Sequence, residues 1–476
     1  MNTLLWFVIL YWVISVGIGL YAARYVNSSN DFALAGRSLP MYVVTATVFA
    51  TWFGSETVLG IPATFLKEGL GGVVSDPFGS SLCLVFVGLF FARKLYRMNL
   101  LTIGDYYKQR YGRTVEVLVT LCIVTSYLGW VAAQIKALGL VFSVVSGGYI
   151  TPEVGMLIGA GSVLIYTLMG GMWSVAITDF LQMIIIVVGM LYIGWEVAGM
   201  VGGAGAVINH AAAAGKLEFW PAPTTREVLW FIAAAITMML GSIPQQDVFQ
   251  RVSSSRNEQI AGNASVLGGV LYFIFAFVPM FLAYSATLID PDMVNNLIDD
   301  DPQKILPTLI MTKVPVLAQV MFFGALLSAI KSCASATLLA PSVTFTENIM
   351  KEIIPNQSDR QFLLTMRIVV LTFTAFVTWF ALNSEASIFK MVENAYKVTL
   401  VAAFVPLVFG LYWKRSTNQG ALASILLGLA SWIGCEIVAP EGLFPPQLVG
   451  VLFAFAGMIV GSLLPQWQRA TGAATA

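Results

Sequence analysis

Long apolar runs follow one another along most of the chain and are separated by short polar segments. Each run is longer than a membrane barrel strand needs to be, so helices are the predicted spanning elements. The pattern predicts thirteen spans, at residues 3–23, 41–65, 78–91, 115–145, 154–169, 176–200, 229–249, 264–289, 317–345, 362–382, 387–412, 420–438 and 448–464. The expected fold class is an all-α polytopic membrane protein.

Two of the predicted spans are interrupted by residues that break helices. Span 2 contains Gly54, Gly60 and Pro62 around the acid Glu56, and span 7 contains the stretch G-S-I-P-Q-Q-D at residues 241–247. Unpaired backbone groups are costly in lipid, so a broken helix indicates a segment that lines a cavity inside the protein. An acid at membrane depth likewise indicates function. The alternative is a proline-kinked structural helix with Glu56 near the membrane interface.

The two interrupted spans occupy corresponding positions in two halves of the chain. They lie five spans apart, and since five is odd the two halves have opposite topology. Such a pair points to a transporter built from inverted repeats, with its binding site at the breaks. We therefore expect one transporter domain over residues 1–476. It comprises a first span with an inner loop (1–40), a first repeat (41–200), a second repeat (228–415), and two C-terminal spans with a short tail (416–476).

Composition agrees with a membrane protein and narrows the function. The chain is 58% hydrophobic and 11% charged, whereas a soluble protein carries about a quarter charged residues. The net charge is zero, so no nucleic-acid partner is expected. The one histidine, His210, is predicted to lie in a loop, and the four cysteines lie in apolar runs. A hydrolase triad or a metal centre is therefore not expected, and we expect neither an enzyme nor an organic cofactor.

The distribution of Lys and Arg over the loops predicts the orientation in the membrane. Basic residues cluster in segment 92–114 and recur in the tail at Arg469, while the opposite loop at 290–301 is acidic. We expect the chain to lie in the cell membrane. By the positive-inside rule its N-terminus is outside and its C-terminus is in the cytoplasm. Segment 92–114 is expected to form an interfacial helix, and loop 201–227 is expected to lie on the membrane surface. The pattern does not indicate an oligomeric state.

Five motifs resemble those of the sodium:solute symporter family, in the same order and on the same predicted sides of the membrane. They read D-F-A-L-A-G-R at 31–37, T-x-x-D-Y-x-x-x-R-Y at 102–111, Y-T-x-x-G-G-M-x-S-x-x-x-T-D-x-x-Q at 166–182, Q-x-x-x-Q-R at 246–251 and G-L-x-x-x-R-x-x-x-x-G-A-x-x-S at 410–424. The resemblance covers nearly the whole chain. It implies a LeuT-type fold with a five-plus-five inverted repeat, broken helices in spans 2 and 7, and cation-coupled symport of a small organic solute.

Within that family the sequence is most similar to the choline-transporter-like branch. The shared residues read A-T-W at 50–52, W-x-A-A at 130–133 and I-P-x-Q at 243–246. That branch carries an aromatic residue at the position of Gln245, so an aromatic cage would be incomplete here. The expected solute is cationic or zwitterionic, such as a quaternary amine or an amino acid. A transporter-like sensor that reports a solute is the alternative from another functional class.

Five residues are candidates for the solute site. The rings of Trp52 and Trp130 can bind a cation through their faces, although each can also serve as core or interface packing. Glu56 supplies a negative charge at the first break, and Gln245 and Gln246 supply hydrogen-bonding groups at the second. We expect Trp52, Glu56, Trp130 and Gln245 to face one central cavity. An acid with aromatic faces favours a cationic or zwitterionic solute over a sugar.

The resemblance also implies a sodium site between the first broken span and span 9. Its ligands would be the carbonyls of Ala50, Phe53 and Ala329, the hydroxyl of Ser332, and the residue at position 333, because a hard cation prefers oxygen. Cys333 departs from the family here, since a thiol is a poor sodium ligand. The hydroxyl of Ser332 can also bond back to its own helix.

Asp179 and Lys331 are the candidates for coupling. The resemblance gives Asp179 a part in inward ion release, whereas an acid at a helix N-terminus is also favoured by the helix dipole. Lys331 stands where most family members carry an apolar residue, and its ammonium would repel sodium or take its place. Burial disfavours a charged lysine, so the side chain can also bind and release a proton. Three readings remain: sodium symport with Lys331 turned away, proton coupling through Lys331, or a static Lys331–Glu56 pair.

Overall fold

The structure of the protein, a computed structural model, describes residues 3–466. Every regular element in that range is a helix. Ten helices are long and apolar enough to cross a membrane: Leu4–Tyr25, Leu70–Arg97, Arg113–Val145, Pro152–Met200, Glu258–Ile289, Val316–Ile353, Asp359–Asn383, Ile388–Tyr412, Asn418–Val438 and Pro446–Leu463. The all-α class predicted from the apolar runs is confirmed.

The predicted breaks in spans 2 and 7 are both present. The first broken helix consists of Met41–Trp52 followed, after residues 53–55, by a wide turn at Glu56–Gly60 and by Ile61–Glu68. Phe53 leaves the helical conformation, with φ −86° and ψ 70°. The amide of Ser55 leaves the helical ladder and donates to Oε1 of Gln134 at 2.9 Å. A neighbouring helix thus satisfies backbone that the break exposes, as the low-dielectric interior requires.

The second broken helix consists of Thr225–Gly241 and Gln246–Ser254, which meet at 43°. Pro244, in the break, has no amide hydrogen to continue the ladder. Gly241 is required for close packing, because a Cβ there would lie 2.5 Å from the carbonyl oxygen of Tyr396. Local Gly and Pro chemistry therefore fixes the place of this break as the sequence predicted.

The count of thirteen spans stays a prediction. The bent pair of the second broken helix raises the ten candidate spans of residues 3–466 to eleven. Reaching thirteen requires counting the first broken helix and dividing Pro152–Met200, the kinked helix, into two spans. Gly171 marks that division, since its φ of 47° and ψ of −137° are not helical. The limits of the two repeats likewise stay predictions.

Helices from both halves surround the two breaks. The kinked helix packs against Val316–Phe345, which we call the facing helix, against Arg113–Val145, the long helix, and against Thr3–Ala22, the first helix. Glu258–Ile289 packs against Met41–Trp52 of the first broken helix. These contacts enclose the breaks and remove the polar groups there from lipid.

The loops contain more structure than the sequence predicted. His210 lies in the helix Ala204–Ala213 and not in a loop, and its Nδ1 is 3.0 Å from the hydroxyl of Tyr284. Segment 92–114 contains the helices Ala92–Arg97 and Ile103–Tyr111. Short amphipathic stretches of this kind carry too little apolar periodicity to be assigned from sequence. Arg469 and the rest of the predicted tail lie outside the described residues.

The helix Ile103–Tyr111 is anchored to the membrane core. Its three tyrosines donate their hydroxyls to backbone carbonyls of the segment Ile388–Tyr412, at 2.8–3.1 Å. Thr102 caps the helix together with Asp105 in a reciprocal capping box. Buried hydrogen bonds therefore hold this helix against Ile388–Tyr412 on the side of the protein predicted to face the cytoplasm.

Candidate functional site

Three aromatic side chains pack together where the first broken helix meets the long helix and Ile388–Thr399. The ring centroids of Trp52, Trp130 and Tyr396 are 5.5–5.9 Å apart, and Tyr127 stacks on Trp130 at 6.0 Å. None of the four side chains is more than 2% exposed. We call Trp52, Trp130 and Tyr396 the aromatic cluster. Trp52 and Trp130 were predicted, whereas Tyr396 was missed because nothing in its own segment marks it.

Glu56 lies directly against this cluster. Its Oε1 accepts a hydrogen bond from Nε1 of Trp130 at 3.2 Å, and its Oε2 accepts one from Nε2 of Gln134 at 2.7 Å. The side chain is buried, and its hydrogen-bond partners are neutral. A carboxylate in such a setting attracts a cation that enters the site, because nothing nearby cancels its charge. The predicted grouping of Trp52, Glu56 and Trp130 is present in the structure.

A second buried acid, Asp76, lies on the other side of the first break. It accepts hydrogen bonds from the hydroxyls of Ser80 and Tyr272, the latter at 2.5 Å. Tyr272 is also 3.1 Å from the hydroxyl of Thr57 in the wide turn. Asp76 was missed because the predicted third span begins at residue 78. The helical segment Leu70–Arg97 begins earlier and buries it.

The second break places its two glutamines in different surroundings. Nε2 of Gln245 is 3.0 Å from the hydroxyl of Ser126, which lies one turn before Trp130 on the long helix. It is also 3.3 Å from the hydroxyl of Thr399. It therefore borders the aromatic cluster. Gln246 instead accepts a hydrogen bond from the amide of Ile103 at 2.8 Å, on the side of the protein predicted to face the cytoplasm. Solute binding by either glutamine stays a prediction.

Asp247 follows these glutamines and was not among the predicted site residues. One carboxylate oxygen accepts a hydrogen bond from the hydroxyl of Tyr127, and the Asp247 amide donates to the same hydroxyl at 2.8 Å. The other oxygen, Oδ2, is buried and has no partner among the described residues. Arg251 donates to the main-chain carbonyl of Asp247 and to Thr51, not to the carboxylate.

Oxygen atoms converge at the predicted sodium region. The hydroxyl of Ser332 on the facing helix donates to Oδ1 of Asp179 at 2.6 Å, and Thr47 on the first broken helix donates to the other oxygen of Asp179. The structure thus brings Asp179 to Ser332, and it adds Thr47, which the sequence did not single out. A carboxylate with two hydroxyls suits a hard cation.

The remaining predicted sodium ligands lie on the same elements. Ala50 and Phe53 are buried at the end of Met41–Trp52 and in the break, and Ala329 is buried one turn before Cys333. The sulfur of Cys333 is 4.0 Å from Oε1 of Glu56. Cys333 therefore faces the carboxylate beside the aromatic cluster. Its role as a sodium ligand, like that of the three carbonyls, stays a prediction.

Lys331 points away from the first break. Its Nζ donates to the hydroxyl of Ser15 on the first helix at 2.9 Å and lies 5.9 Å from the Trp12 ring and 5.6 Å from the Tyr166 ring. It takes part in no ion pair among the described residues. The pair with Glu56 that the sequence left open is therefore absent from this conformation.

A cavity of about 650 Å³ lies along the C-terminal part of the first broken helix, residues 60–68. Its lining includes Gly60, Lys67, Lys136, Asp300 and Phe389. At its floor a Cβ on Gly60 would lie 3.3 Å from Phe389, so these two residues pack closely. Glu56 lies one turn further along the same helix. Trp52, Glu56, Trp130 and Gln245 are not among its lining residues, so the central cavity expected between these four stays a prediction.

Known proteins are similar to this chain in sequence. The model of the sodium:solute symporter family matches residues 32–428. The human (Homo sapiens) high affinity choline transporter 1 is 29% identical over 448 residues, covering 89% of this chain and 75% of that protein. The sodium/proline symporter of Haemophilus influenzae is 26% identical, covering 94% and 92%.

A solved structure shows the same fold. The substrate-bound outward-open state of a Na⁺-coupled sialic acid symporter superimposes with a TM-score of 0.82 at 18% identity, and the match covers 97% of each chain. At this identity the likeness concerns the fold alone. Together with the two broken helices it confirms the LeuT-type architecture expected from the sequence.

Proposed function

The chain belongs to the sodium:solute symporter family, and from that premise we propose that it is a multi-pass membrane transporter that couples solute uptake to sodium. One observation carries this proposal. The consecutive residues Ser332 and Cys333 face two different acids, Asp179 at 2.6 Å and Glu56 at 4.0 Å. The candidate ion region and the candidate solute region therefore meet on one helical turn. Occupation of one site then changes the field and the packing at the other.

Sodium would be held by oxygen atoms of three helices. The carboxylate of Asp179 is shared by Thr47 and Ser332, so it joins the kinked helix to the first broken helix and the facing helix. An arriving cation would take these oxygens as ligands and draw the three elements together. Ion occupancy is thereby linked to the position of the first broken helix, which also carries Trp52 and Glu56.

The solute is a small organic molecule with a positive charge, either a cation or a zwitterion. Support comes from the aromatic cluster and from the two buried acids Glu56 and Asp76, whose hydrogen-bond partners are all neutral. Buried negative charge is costly unless a cation compensates it. A cation held against aromatic faces gains about 2 kcal/mol when desolvated. A neutral sugar would leave both acids uncompensated.

The position of Lys331 favours sodium coupling over its alternatives. Proton coupling through Lys331, or its replacement of the ion, requires the ammonium at the sodium region, whereas Nζ lies against Ser15 on the first helix. We therefore expect Lys331→Met to keep the sodium requirement of uptake. Proton-driven uptake by the wild type that Lys331→Met abolishes would support proton coupling instead, and uptake by the wild type without any sodium requirement would support replacement of the ion by Lys331.

Uptake by the purified protein in proteoliposomes tests the proposal. A thermal-shift screen of amines, amino acids, sugars and carboxylates, with sodium or potassium present, identifies the solute class first. We expect stabilisation by a compound with a positive charge, and a larger stabilisation in sodium. Uptake of that compound driven by a sodium gradient supports a transporter, whereas binding without uptake would support the solute-sensor alternative.

A further inference from the structure

Asp247 is a buried acid at the second break, and only one of its two carboxylate oxygens accepts a hydrogen bond from a described residue. Tyr127 donates to one oxygen, while Oδ2 has no partner among the described residues, and the side chain is 0% exposed. Burying a carboxylate oxygen without a hydrogen bond is strongly unfavourable. An acid kept in this state in a transporter indicates a partner that arrives from outside the chain.

A further unused polar group lies in the aromatic cluster. The hydroxyl of Tyr396, in the aromatic cluster, is buried without a hydrogen-bond partner among the described residues. Tyr127, which donates its hydroxyl to the other oxygen of Asp247, stacks on Trp130 of the cluster at 6.0 Å. The aromatic cluster is thus flanked by an acid from each broken helix. Oδ2 of Asp247 and the Tyr396 hydroxyl are two buried oxygens that make no hydrogen bond among the described residues, and both can accept one from a ligand.

Arg251 lies one turn after Asp247 on the same helix, and its Nε is also buried without a partner, yet it makes no hydrogen bond to the carboxylate in this structure. Arg251 directs one guanidinium nitrogen to the main-chain carbonyl of Asp247 at 3.0 Å and another to Thr51 at 2.9 Å. Asp247 belongs to none of the ion pairs of the described residues. The free oxygen therefore remains available to a ligand with a donor hydrogen.

From these contacts we propose that Asp247 is a specificity-determining residue, and that the site takes ammonium groups that carry at least one N–H in preference to quaternary ammonium groups. This inference rests on the proposed function and names its solute class. Aromatic faces alone bind methylated and unmethylated ammonium groups through charge. An unpaired buried acceptor adds a requirement for a donor hydrogen, and a site built to hydrogen-bond a group rejects an analogue that lacks it.

A ladder of probes that differ only in N-methylation tests the proposal. Ethanolamine, N-methylethanolamine, N,N-dimethylethanolamine and choline keep one tail and remove one N–H at each step. We expect affinity of the full-length protein in sodium, measured by calorimetry, to change little until the last step. Choline should then bind roughly tenfold more weakly than N,N-dimethylethanolamine, because it has lost the last donor. Equal or tighter binding of choline, or no binding of any of the four, would overturn the proposal.

Two variants separate recognition from a structural role. Asp247→Asn removes the charge at nearly constant shape and should reduce the last step of the ladder to about threefold or less. Tyr127→Phe removes the hydrogen bond to the other carboxylate oxygen but keeps the acid, and should preserve the step. If Asp247 serves only to hold the second break, both variants weaken all four probes equally and the proposal is wrong. Should Asp247→Asn fail to fold, the wild-type ladder still decides.

The results that would contradict the proposed function differ from those that would contradict the role of Asp247. If the ladder has the expected shape but no probe is taken up in a sodium gradient, sodium-coupled transport is wrong and the role of Asp247 in recognition stands. If sodium drives uptake of choline as well as it drives uptake of ethanolamine, transport stands and the specificity proposal is wrong.

Discussion

Replacing Glu56 by glutamine probes the charge that the solute site depends on. The carboxylate accepts hydrogen bonds from Nε1 of Trp130 at 3.2 Å and from Nε2 of Gln134 at 2.7 Å. A glutamine keeps one acceptor and turns an NH₂ group toward one of these donors. The variant therefore loses the negative charge and one of two hydrogen bonds, while the volume of the side chain is nearly unchanged.

The size of the effect is set by the bond that the carboxylate would make to the positively charged group of the solute. A hydrogen bond to a charged group contributes about 1.5–3 kcal/mol, and 1.4 kcal/mol corresponds to roughly a tenfold change in affinity. The KM for a cationic probe such as ethanolamine should therefore rise about 10- to 150-fold. The concentration of sodium that gives half-maximal uptake should change much less, because the oxygens around Asp179 are intact.

The assay is initial-rate uptake into proteoliposomes at varied probe and sodium concentrations. Glu393→Gln is the matched control, since it removes the same charge from Ile388–Thr399, where Glu393 pairs with Lys390 at 3.0 Å. We expect its KM to stay within about twofold of wild type, because Glu393 is already paired within the chain and its partner Lys390 is exposed to solvent. An unchanged KM in Glu56→Gln would refute the placement of the solute charge beside the aromatic cluster.

Two further substitutions test the ion region and the first break. Ser332→Ala removes a hydroxyl of the ion region and should raise the half-maximal sodium concentration roughly tenfold. Ser335→Ala is the control, because the Ser335 hydroxyl bonds to the Ser332 carbonyl at 3.0 Å, and it should leave that concentration unchanged. Equal sodium curves for the two variants would contradict the role of Ser332 in the ion region. Gly54→Ala would place a Cβ 2.6 Å from Oε2 of Glu56 and should reduce the uptake rate at least tenfold by our estimate, whereas Gly324→Ala, with nothing within 4 Å, should transport normally.

The breaks could be predicted from sequence because their causes are local. Glycine and proline act on the backbone where they stand, so Gly54 and the stretch at 241–247 gave the break positions directly. Trp52, Glu56 and Trp130 could be grouped because an acid is rare at membrane depth, and because Trp is enriched at the membrane interfaces whereas these two stand in the middle of spans. These three residues do meet, with Nε1 of Trp130 3.2 Å from Glu56.

The residues that were missed depend on packing between distant elements. Asp247 was visible in the sequence, but which way it faces is set by the 43° bend of the second broken helix. Tyr396 becomes part of the cluster only because Ile388–Thr399 packs against the long helix. The direction of Lys331 depends on the first helix, which lies more than 300 residues away and offers Ser15. No local pattern encodes such contacts.

The central claim is that a sodium gradient drives solute uptake by this chain. The most direct measurement compares uptake of the solute identified by the thermal-shift screen into proteoliposomes under an inward sodium gradient and, separately, under an inward proton gradient with potassium in place of sodium. We expect accumulation with sodium and background uptake with protons alone. Equal accumulation under the proton gradient without sodium would contradict it.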